Sequence, residues 1–390
     1  MLKKALLVAS CAALLLAGIF VYQIFSSLSD FGIDTNAVIV DEYYQQRIDQ
    51  SKRQNTGHRN DRATADDPVD HQTPQPEHYY VLVIGLDTRG DVLTLNTDSI
   101  HVAHIIPEVD SIKLLSIPRD TRVSNTRGED TKINAVFAEG YQYARSQAMK
   151  RPELLSGKTI RLGDFNIAEE YVSSGMVVLR ETVEEYLDID IDYTFLINFQ
   201  TVVSLVDFVG GIEIDVERDM YWQDNADGTH IHFEKGLQLL DGEQALNYAR
   251  FRKDLRGEEY DSNDFERGAR QQKIMVTLLE QLNSWNNITK ISEILDIVTA
   301  NVKTDMPRST MLSMANKLYG NISSSNVESI PFPGNWGGRY VDIEPEDLER
   351  IKQQFSSIGR ISRADTAKNR NIADESDPST RAEADREPRT

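Results

Sequence analysis

Hydrophobic and polar positions partition the chain before any motif is read. Residues 5–25 run ALLVASCAALLLAGIFVYQIF, 21 residues without a charge. That run predicts a helix about 32 Å long, close to the thickness of a bilayer's hydrocarbon core. Residues 26–50 are polar with scattered apolar positions and predict a short stalk. Residues 51–78 hold almost no large apolar side chains. They cannot bury enough surface to offset the entropy of ordering, so 26–78 as a whole reads as stalk and flexible linker. Residues 361–390 carry 6 basic and 7 acidic residues and no aromatic, and read as a disordered tail. The expected folded domain is residues 79–360, and it shows no internal repeat.

Within it, apolar runs mark strands at Tyr79–Ile84, Ser99–Ile106, Ile112–Ile117, Tyr193–Ile197 and Gly211–Val216. Pro107-Glu108-Val109-Asp110 suits a turn between the second and third. Helical spacing occurs at Glu139–Lys150, Val172–Leu187, Gln200–Val209, Asp264–Asn283 and Ile291–Val298. Asp241–Tyr248 predicts a short helix capped by Asp241. Residues 145–174 fall between two helices and read as a surface loop. Strands and helices mixed over this length imply a layered α/β domain with helices on both faces.

Charge narrows the partners. Lys plus Arg total 42 and Asp plus Glu 62, a net charge of −20. No nucleic-acid partner is expected, because non-specific binding needs a basic surface. The single cysteine, Cys11, excludes an intrachain disulfide and a cysteine-based zinc site. Lys3 and Lys4 precede the apolar run and no basic cluster immediately follows it. The positive-inside rule then keeps residues 1–4 in the cytoplasm and sends the domain outside. A cleaved signal peptide fits less well, since the run exceeds a usual signal core and lacks a small-x-small site near its end. Lipidation at Cys11 fits less well still, because the run continues well past it.

Strand order gives the first chemistry. If the first three strands run up, down and up, Asp87, Asp98 and Arg119 meet at one end of the sheet. Paired carboxylates hold hard cations such as Mg²⁺, which keep several waters and accept phosphate oxygens. An arginine offers a planar fork matched to phosphate. The bland alternative makes Asp87, Arg89 and Asp98 turn residues and Arg119 an ordinary ion pair; spacing alone leaves both open.

A second constellation follows. Arg250 and Arg252 share a side if the chain is extended there. On a helix, Asp264, Arg267, Arg270 and Gln271 form one stripe. Arg256–Asp261 between them is charged, contains Gly257 and reads as a mobile loop. These arginines are either internal salt-bridge partners or an anion site for two phosphates. Other site types find no support. Gly210-Gly211 lacks dinucleotide or P-loop spacing, and His230 with His232 reads as a polar turn rather than a metal pair.

An ordered set of motifs runs through the domain. It opens with Val83-Ile84-Gly85-Leu86-Asp87-Thr88-Arg89, Thr97-Asp98-Ser99-Ile100, Leu115-Ser116-Ile117-Pro118-Arg119-Asp120 and Lys132-Ile133-Asn134. Phe208-Val209-Gly210-Gly211-Ile212-Glu213-Ile214, Leu240-Asp241-Gly242-Glu243-Gln244-Ala245-Leu246 and Tyr248-Ala249-Arg250-Phe251-Arg252 come next. Asp264-Phe265-Glu266-Arg267 and Arg270-Gln271-Gln272 close the set, which covers about residues 79–285. Taken in this order, the motifs resemble the LytR-CpsA-Psr family of cell-envelope phosphotransferases. The resemblance implies a three-layer α-β-α sandwich with a mixed central sheet, preceded by one transmembrane helix. It implies a Gram-positive cell membrane protein with its catalytic domain outside. The implied reaction transfers an anionic glycopolymer of teichoic-acid or capsular type from a polyprenyl pyrophosphate carrier to peptidoglycan, forming a phosphodiester.

Carried onto these residues, the resemblance makes Asp87 and Asp98 the ligands of Mg²⁺, or of Mn²⁺ in its place. Arg89, Arg119, Arg250, Arg252, Arg267 and Arg270 become a pyrophosphate clamp with Gln271 beside it. Asp264 orients an arginine or assists the acceptor hydroxyl; Arg119, Asp264, Arg250 and Arg252 are the implied catalytic set. One position departs: the family's arginine two residues before the second aspartate is Asn96 here. That donor is missing, or Arg89 or Arg122 supplies it. The helices at 176–187 and 199–209 could line a lipid tunnel, though a sandwich core requires the same stripes. A polyprenyl pyrophosphate hydrolase and a non-catalytic glycopolymer-binding or regulatory protein are the competing readings.

Overall fold

Alternation along three consecutive strands builds the middle of the molecule. The computed structural model describes residues 32–36, 38–46, 48–49, 77–89, 92–125, 128–162, 165–223, 229–283, 302–318 and 326–357. In it β1 (Tyr79–Arg89), β2 (Val92–Ile106) and β3 (Ser111–Ser116) form an antiparallel meander. A single 3-10 turn at Pro107–Val109 joins β2 to β3, closed by Asp110 at φ 51°. β1 is longer than its apolar run because its polar end, Asp87–Arg89, continues alongside β2 through register irregularities.

Beyond β3, the hairpin of β4 (Arg122–Ser124) and β5 (Asp130–Lys132) leads into α1 (Ile133–Lys150). The hairpin of β6 (Thr159–Leu162) and β7 (Phe165–Ala168) leads into α2 (Glu169–Leu187). The expected loop at 145–174 is therefore mostly ordered structure. Its middle buries Leu162 and Ile167 in the main core, which a solvated loop could not do. β8 (Tyr193–Asn198) returns parallel to β1, a pairing that needs the α1–α2 crossover. α3 (Phe199–Phe208) and β9 (Ile212–Val216) follow, then the hairpin of β10 (Met220–Gln223) and β11 (His230–Phe233). β12 (Gly236–Leu240) pairs with β9, and α4 (Gly242–Arg250) and α5 (Asp264–Asn283) complete this region. β13 (Val302–Thr304), α6 (Arg308–Leu318) and β14 (Val327–Ile330) come next. The small hairpin of β15 (Asn335–Gly337) and β16 (Tyr340–Asp342) precedes α7 (Pro345–Ser356).

The six-stranded central sheet has the order β13-β8-β1-β2-β3-β14 and is mixed, with parallel pairs β1–β8 and β3–β14. Period two sends Leu82, Ile84, Ile100, Val102 and Leu115 to the face covered by α1 and α2. Val81, Ala103, Ile112 and Leu114 point the other way, against Met314 and Leu318 of α6 and Val276 of α5. Met176, Leu179 and Val183 of α2 lie in the first of these cores. Val203 and Val206 of α3 are buried, Val206 in a satellite core with β9 to β12, α4 and α5.

The folded body starts before residue 79. Gly32 bridges Thr304 in parallel, and Ile33 N–H donates to Thr304 O at 3.0 Å. Ile39 N–H donates to Ser174 Oγ at 2.8 Å, and Tyr44 and Ile48 are buried. Residues 48 and 77 therefore both sit on the same body. Among the described residues no helix is long and apolar enough to cross a membrane. The anchor expected at 5–25, the helix expected at 291–298 and the tail at 361–390 lie outside the described residues. At the other end, the buried Lys113 ammonium caps α7, reaching Gln354 O at 2.6 Å and Ser357 O at 2.7 Å.

Two histidines on β2 are buried. His101 Nε2 lies 2.9 Å from Ser99 Oγ, and His104 Nδ1 lies 2.7 Å from Phe355 O. Burial pushes each pKa down from 6.5 to about 4. A depressed histidine contributes stability that is fully present above pH 6.5 and lost as pH falls from there toward about 4. NMR titration should find both imidazoles still neutral at pH 6, where an unfolded histidine is mostly charged. A pKa near 6.5 for either would contradict this packing.

Candidate functional site

The upper end of the sheet is where β1 and β3 finish and β2 begins. The turn after β3 carries Arg119 and Asp120, and Thr121 N–H closes it on Pro118 O at 2.9 Å. Ile133 N–H donates to Thr121 O and Asn134 N–H to Arg119 O, so the start of α1 grips the same turn. Val341 N–H donates to Asp120 O at 2.8 Å from β16. Arg119 is thus presented from a turn held on both sides.

Arg119 Nη1 meets Asp98 Oδ1 at 3.1 Å, and its Nε lies 3.5 Å from Asp264 Oδ1. The convergence of Asp98 and Arg119 expected from strand order is therefore present. Asp87 and Arg89 belong to the last residues of β1, and their side chains lie outside the described ones. Asp98 keeps 36% of its side chain exposed while one oxygen serves Arg119. That suits a hard cation, which needs only a protein carboxylate or two and fills its shell with water and phosphate oxygens. Among the described residues, no cluster of three or more His, Cys, Asp or Glu could hold a metal by itself.

α5 delivers the rest. Asn263 caps it, accepting from Glu266 N–H at 2.8 Å, which places Asp264 in the first turn. Gly268 lets the helix approach β3 closely: a Cβ there would sit 2.5 Å from Ser116 Oγ. Asp264 is almost fully buried between Arg119 and Arg267, whose Nη2 lies 3.2 Å from Asp264 Oδ1 and 3.4 Å from Asp98 O. Asp264 therefore orients two arginines.

Electrostatics follows from this packing. Burial works against Arg119's charge, but Asp264, Asp98 and Asp120 outweigh it and raise its pKa. Burial lowers the pKa of Arg267, against the pull of Asp264. Burial raises the pKa of Asp264, aided by the neighbouring Asp120 carboxylate and opposed by Arg267 and Arg119. Asp120 is held low despite its burial, chiefly by Lys132, whose Nζ stands 2.7 Å from Asp120 Oδ1. Of the two acids, Asp264 is the one favoured to hold a proton. Asp120 and Lys132 lie inside recognisable motifs, but nothing in their spacing signals this pairing.

Arg250 ends α4, a helix started by a capping box in which Asp241 and Gln244 bond reciprocally. Its guanidinium lies 5.2 Å from the Phe199 ring centre. Phe199 fits over the sheet end only because residue 85 is glycine; a Cβ there would come within 2.8 Å of its ring. Arg252 is exposed, and its charge acts on Arg267 across the site.

Several expectations are corrected. Arg270 does not face the anion site. It is 2% exposed and bonds Glu217 Oε1 at 3.1 Å, Phe251 O at 2.7 Å and Ser262 Oγ at 2.6 Å, packed near the rings of Tyr248 and Phe251. It is a strut beneath Arg250 and Arg252 rather than a clamp. Gln271, the next residue of α5, is half-buried. Arg122 does not replace the donor absent at Asn96, because Asp342 takes its Nε at 2.7 Å, Asp130 pairs with it and Tyr340 stacks on it. The segment expected to be mobile, 256–261, is laced down: Arg256 pairs with Asp254 at 2.9 Å, and Asp261 accepts from Lys253 at 2.6 Å and from Asp254 N–H at 2.8 Å. His230 and His232 share one exposed side of β11.

Comparison with known proteins gives this geometry a context. The LytR_cpsA_psr family model matches residues 42–357. A polyisoprenyl-teichoic acid–peptidoglycan teichoic acid transferase TagU from Halalkalibacterium halodurans is 31% identical over 72% of this chain and 78% of its own length. The corresponding enzyme TagV from Bacillus subtilis is 30% identical over 70% of this chain and 63% of its own. The crystal structure of B. subtilis TagV superposes with a TM-score of 0.53 at 28% identity, covering 72% of this chain and 97% of that one.

Proposed function

The chain belongs to the LytR_cpsA_psr family, and from that premise we propose that it is an envelope phosphotransferase. It takes an anionic glycopolymer of teichoic-acid or capsular type from a polyprenyl pyrophosphate carrier and joins it to peptidoglycan. The relatives TagU and TagV are named for that transfer of teichoic acid. The observation that carries the reading is the convergence of Arg119, Asp98, Asp264 and Arg267 at one end of the sheet.

A peptidoglycan hydroxyl oxygen attacks the polymer-side phosphorus. The bond to the bridging oxygen breaks and polyprenyl phosphate leaves with that oxygen. The hydroxyl proton is released, and the product is a phosphodiester. Such a reaction asks mainly for positioning and for donors aimed at developing charge. Arg119, held by Asp98 and Asp264, presents its fork to the pyrophosphate, with Arg267, Arg250, Arg252 and Arg89 completing the clamp. Asp98 with Asp87 would hold Mg²⁺, or Mn²⁺ in its place, which when bound neutralises phosphate oxygens. Asp264, buried and poor in exposure, keeps the arginines aligned. Residues 5–25 anchor the protein in the cell membrane, with the domain on the outer side of a Gram-positive cell.

Full-length protein in detergent, given a polyprenyl pyrophosphate-linked glycopolymer and a peptidoglycan oligomer, should release polyprenyl phosphate and form a polymer–peptidoglycan conjugate. Chelation of divalent cations should stop it. Release without conjugate would identify a hydrolase, and binding without release a non-catalytic protein; either would overturn the proposal.

A further inference from the structure

Beneath the arginine fork lies a cation to which the proposed chemistry gives no role. Lys132 is the last residue of β5 and the residue before α1. Strand pairing sets it opposite Arg122, and the bonds from Ile133 and Asn134 to Thr121 O and Arg119 O fix its backbone beside the Arg119–Asp120 turn. Its ammonium engages Asp120 Oδ1 at 2.7 Å, while Arg119 Nε stands 3.9 Å from Asp120 Oδ2. Asp120 is buried.

We propose that Lys132 is a positioning residue that engages Asp120 and so keeps Arg119 available to the pyrophosphate. The inference rests on the reading of this site as a pyrophosphate site. Its logic is competition between anions for one fork. A guanidinium is recruited by the nearest carboxylate, and a buried carboxylate deprived of its partner draws the next available cation. Two cations reach Asp120 in this contact network, Lys132 at 2.7 Å and Arg119 at 3.9 Å. Removing Lys132 makes the site one charge more negative, against a pyrophosphate that it must accept. It also leaves Asp120 with Arg119 as its nearest remaining cation, about one van der Waals contact away.

The test is a variant series in the full-length protein: Lys132→Met, Lys132→Arg, and Lys132→Met combined with Asp120→Asn. Two readouts are taken, the KM for lipid pyrophosphate in transfer and the direct calorimetric affinity for inorganic pyrophosphate. Lys132→Met should weaken both by about tenfold, because it strips the closer cation from a buried carboxylate although Lys132 itself is 35% exposed. Lys132→Arg should stay close to wild type. Adding Asp120→Asn to Lys132→Met should recover most of the loss, although it removes a second charged group. A purely structural lysine gives the opposite order, with the double variant weaker and less thermostable than the single. Unchanged affinities in Lys132→Met, or no recovery in the double variant, would overturn the proposal. Wild-type protein that binds pyrophosphate with this variant pattern yet transfers nothing would overturn the transferase reading and leave this one standing. Wild-type protein that neither binds nor transfers would overturn both.

Discussion

Arg119→Ala should abolish polyprenyl phosphate release, with a loss of about a thousandfold or more. A guanidinium that stabilises the charge of a transferring phosphoryl group contributes on that scale. Three carboxylates surround Arg119, from Asp98, Asp120 and Asp264. Alanine therefore removes the fork and leaves its partners under-neutralised, two effects with the same sign for an anionic substrate. Arg119→Lys separates them. It keeps the charge but loses the planar pair of donors, and it should remain folded while losing at least about a hundredfold. Single-turnover assays with labelled lipid carrier distinguish loss of chemistry from loss of binding. Near-normal turnover in Arg119→Lys would remove Arg119 from the site.

Arg270→Met should behave differently. Its guanidinium ties the Phe251 carbonyl, the Ser262 hydroxyl and Glu217 together, and it is almost wholly buried. Losing it leaves buried acceptors unpaired, at a cost of about 3 kcal/mol or more. Denaturant unfolding should show that destabilisation directly. Activity should fall with it, because Phe251 lies between Arg250 and Arg252 and the strut fixes where both point. The signature is a large drop in stability and a kcat loss that osmolytes or lower temperature partly restore. Unchanged stability together with an affinity loss confined to pyrophosphate would return Arg270 to the clamp.

The contrast between these arginines marks how far the sequence reaches. Asp98 and Arg119 were legible because two short antiparallel connections fix which strand ends share an edge of the sheet, whatever the side chains do. The stripe of Asp264, Arg267, Arg270 and Gln271 was legible as one helix face, but helical spacing does not say how deep each position lies. A difference of three residues along α5 takes an arginine from the mouth of the site, beside Asp98, to its floor, beneath Phe251. The Asp120–Lys132 pair was invisible for another reason. Its members are a hairpin apart, and their meeting depends on Ile133 and Asn134 bonding back to the Arg119 turn. Phe199 as the seat of Arg250 likewise follows from a glycine on a neighbouring strand, a relation that only tertiary packing expresses. The buried hairpin at β6–β7 escaped because its apolar residues are few and its strands are four residues each.

Residues 48 and 77 resting on one body alter what the polar stretch between them can be. Both flanks of that stretch rest on the folded body, so its length does not set the distance between the body and a membrane. With residues 5–25 in the bilayer as proposed, only residues 26–31 separate lipid from the first described residues of the body. At an extended rise of about 3.5 Å each, six residues reach no further than about 20 Å. The enzyme is then moored close to the head groups, near the plane where its lipid carrier resides. Lengthening 26–31 should therefore separate the catalytic centre from its donor, whereas shortening the stretch between 50 and 76 should leave that distance alone.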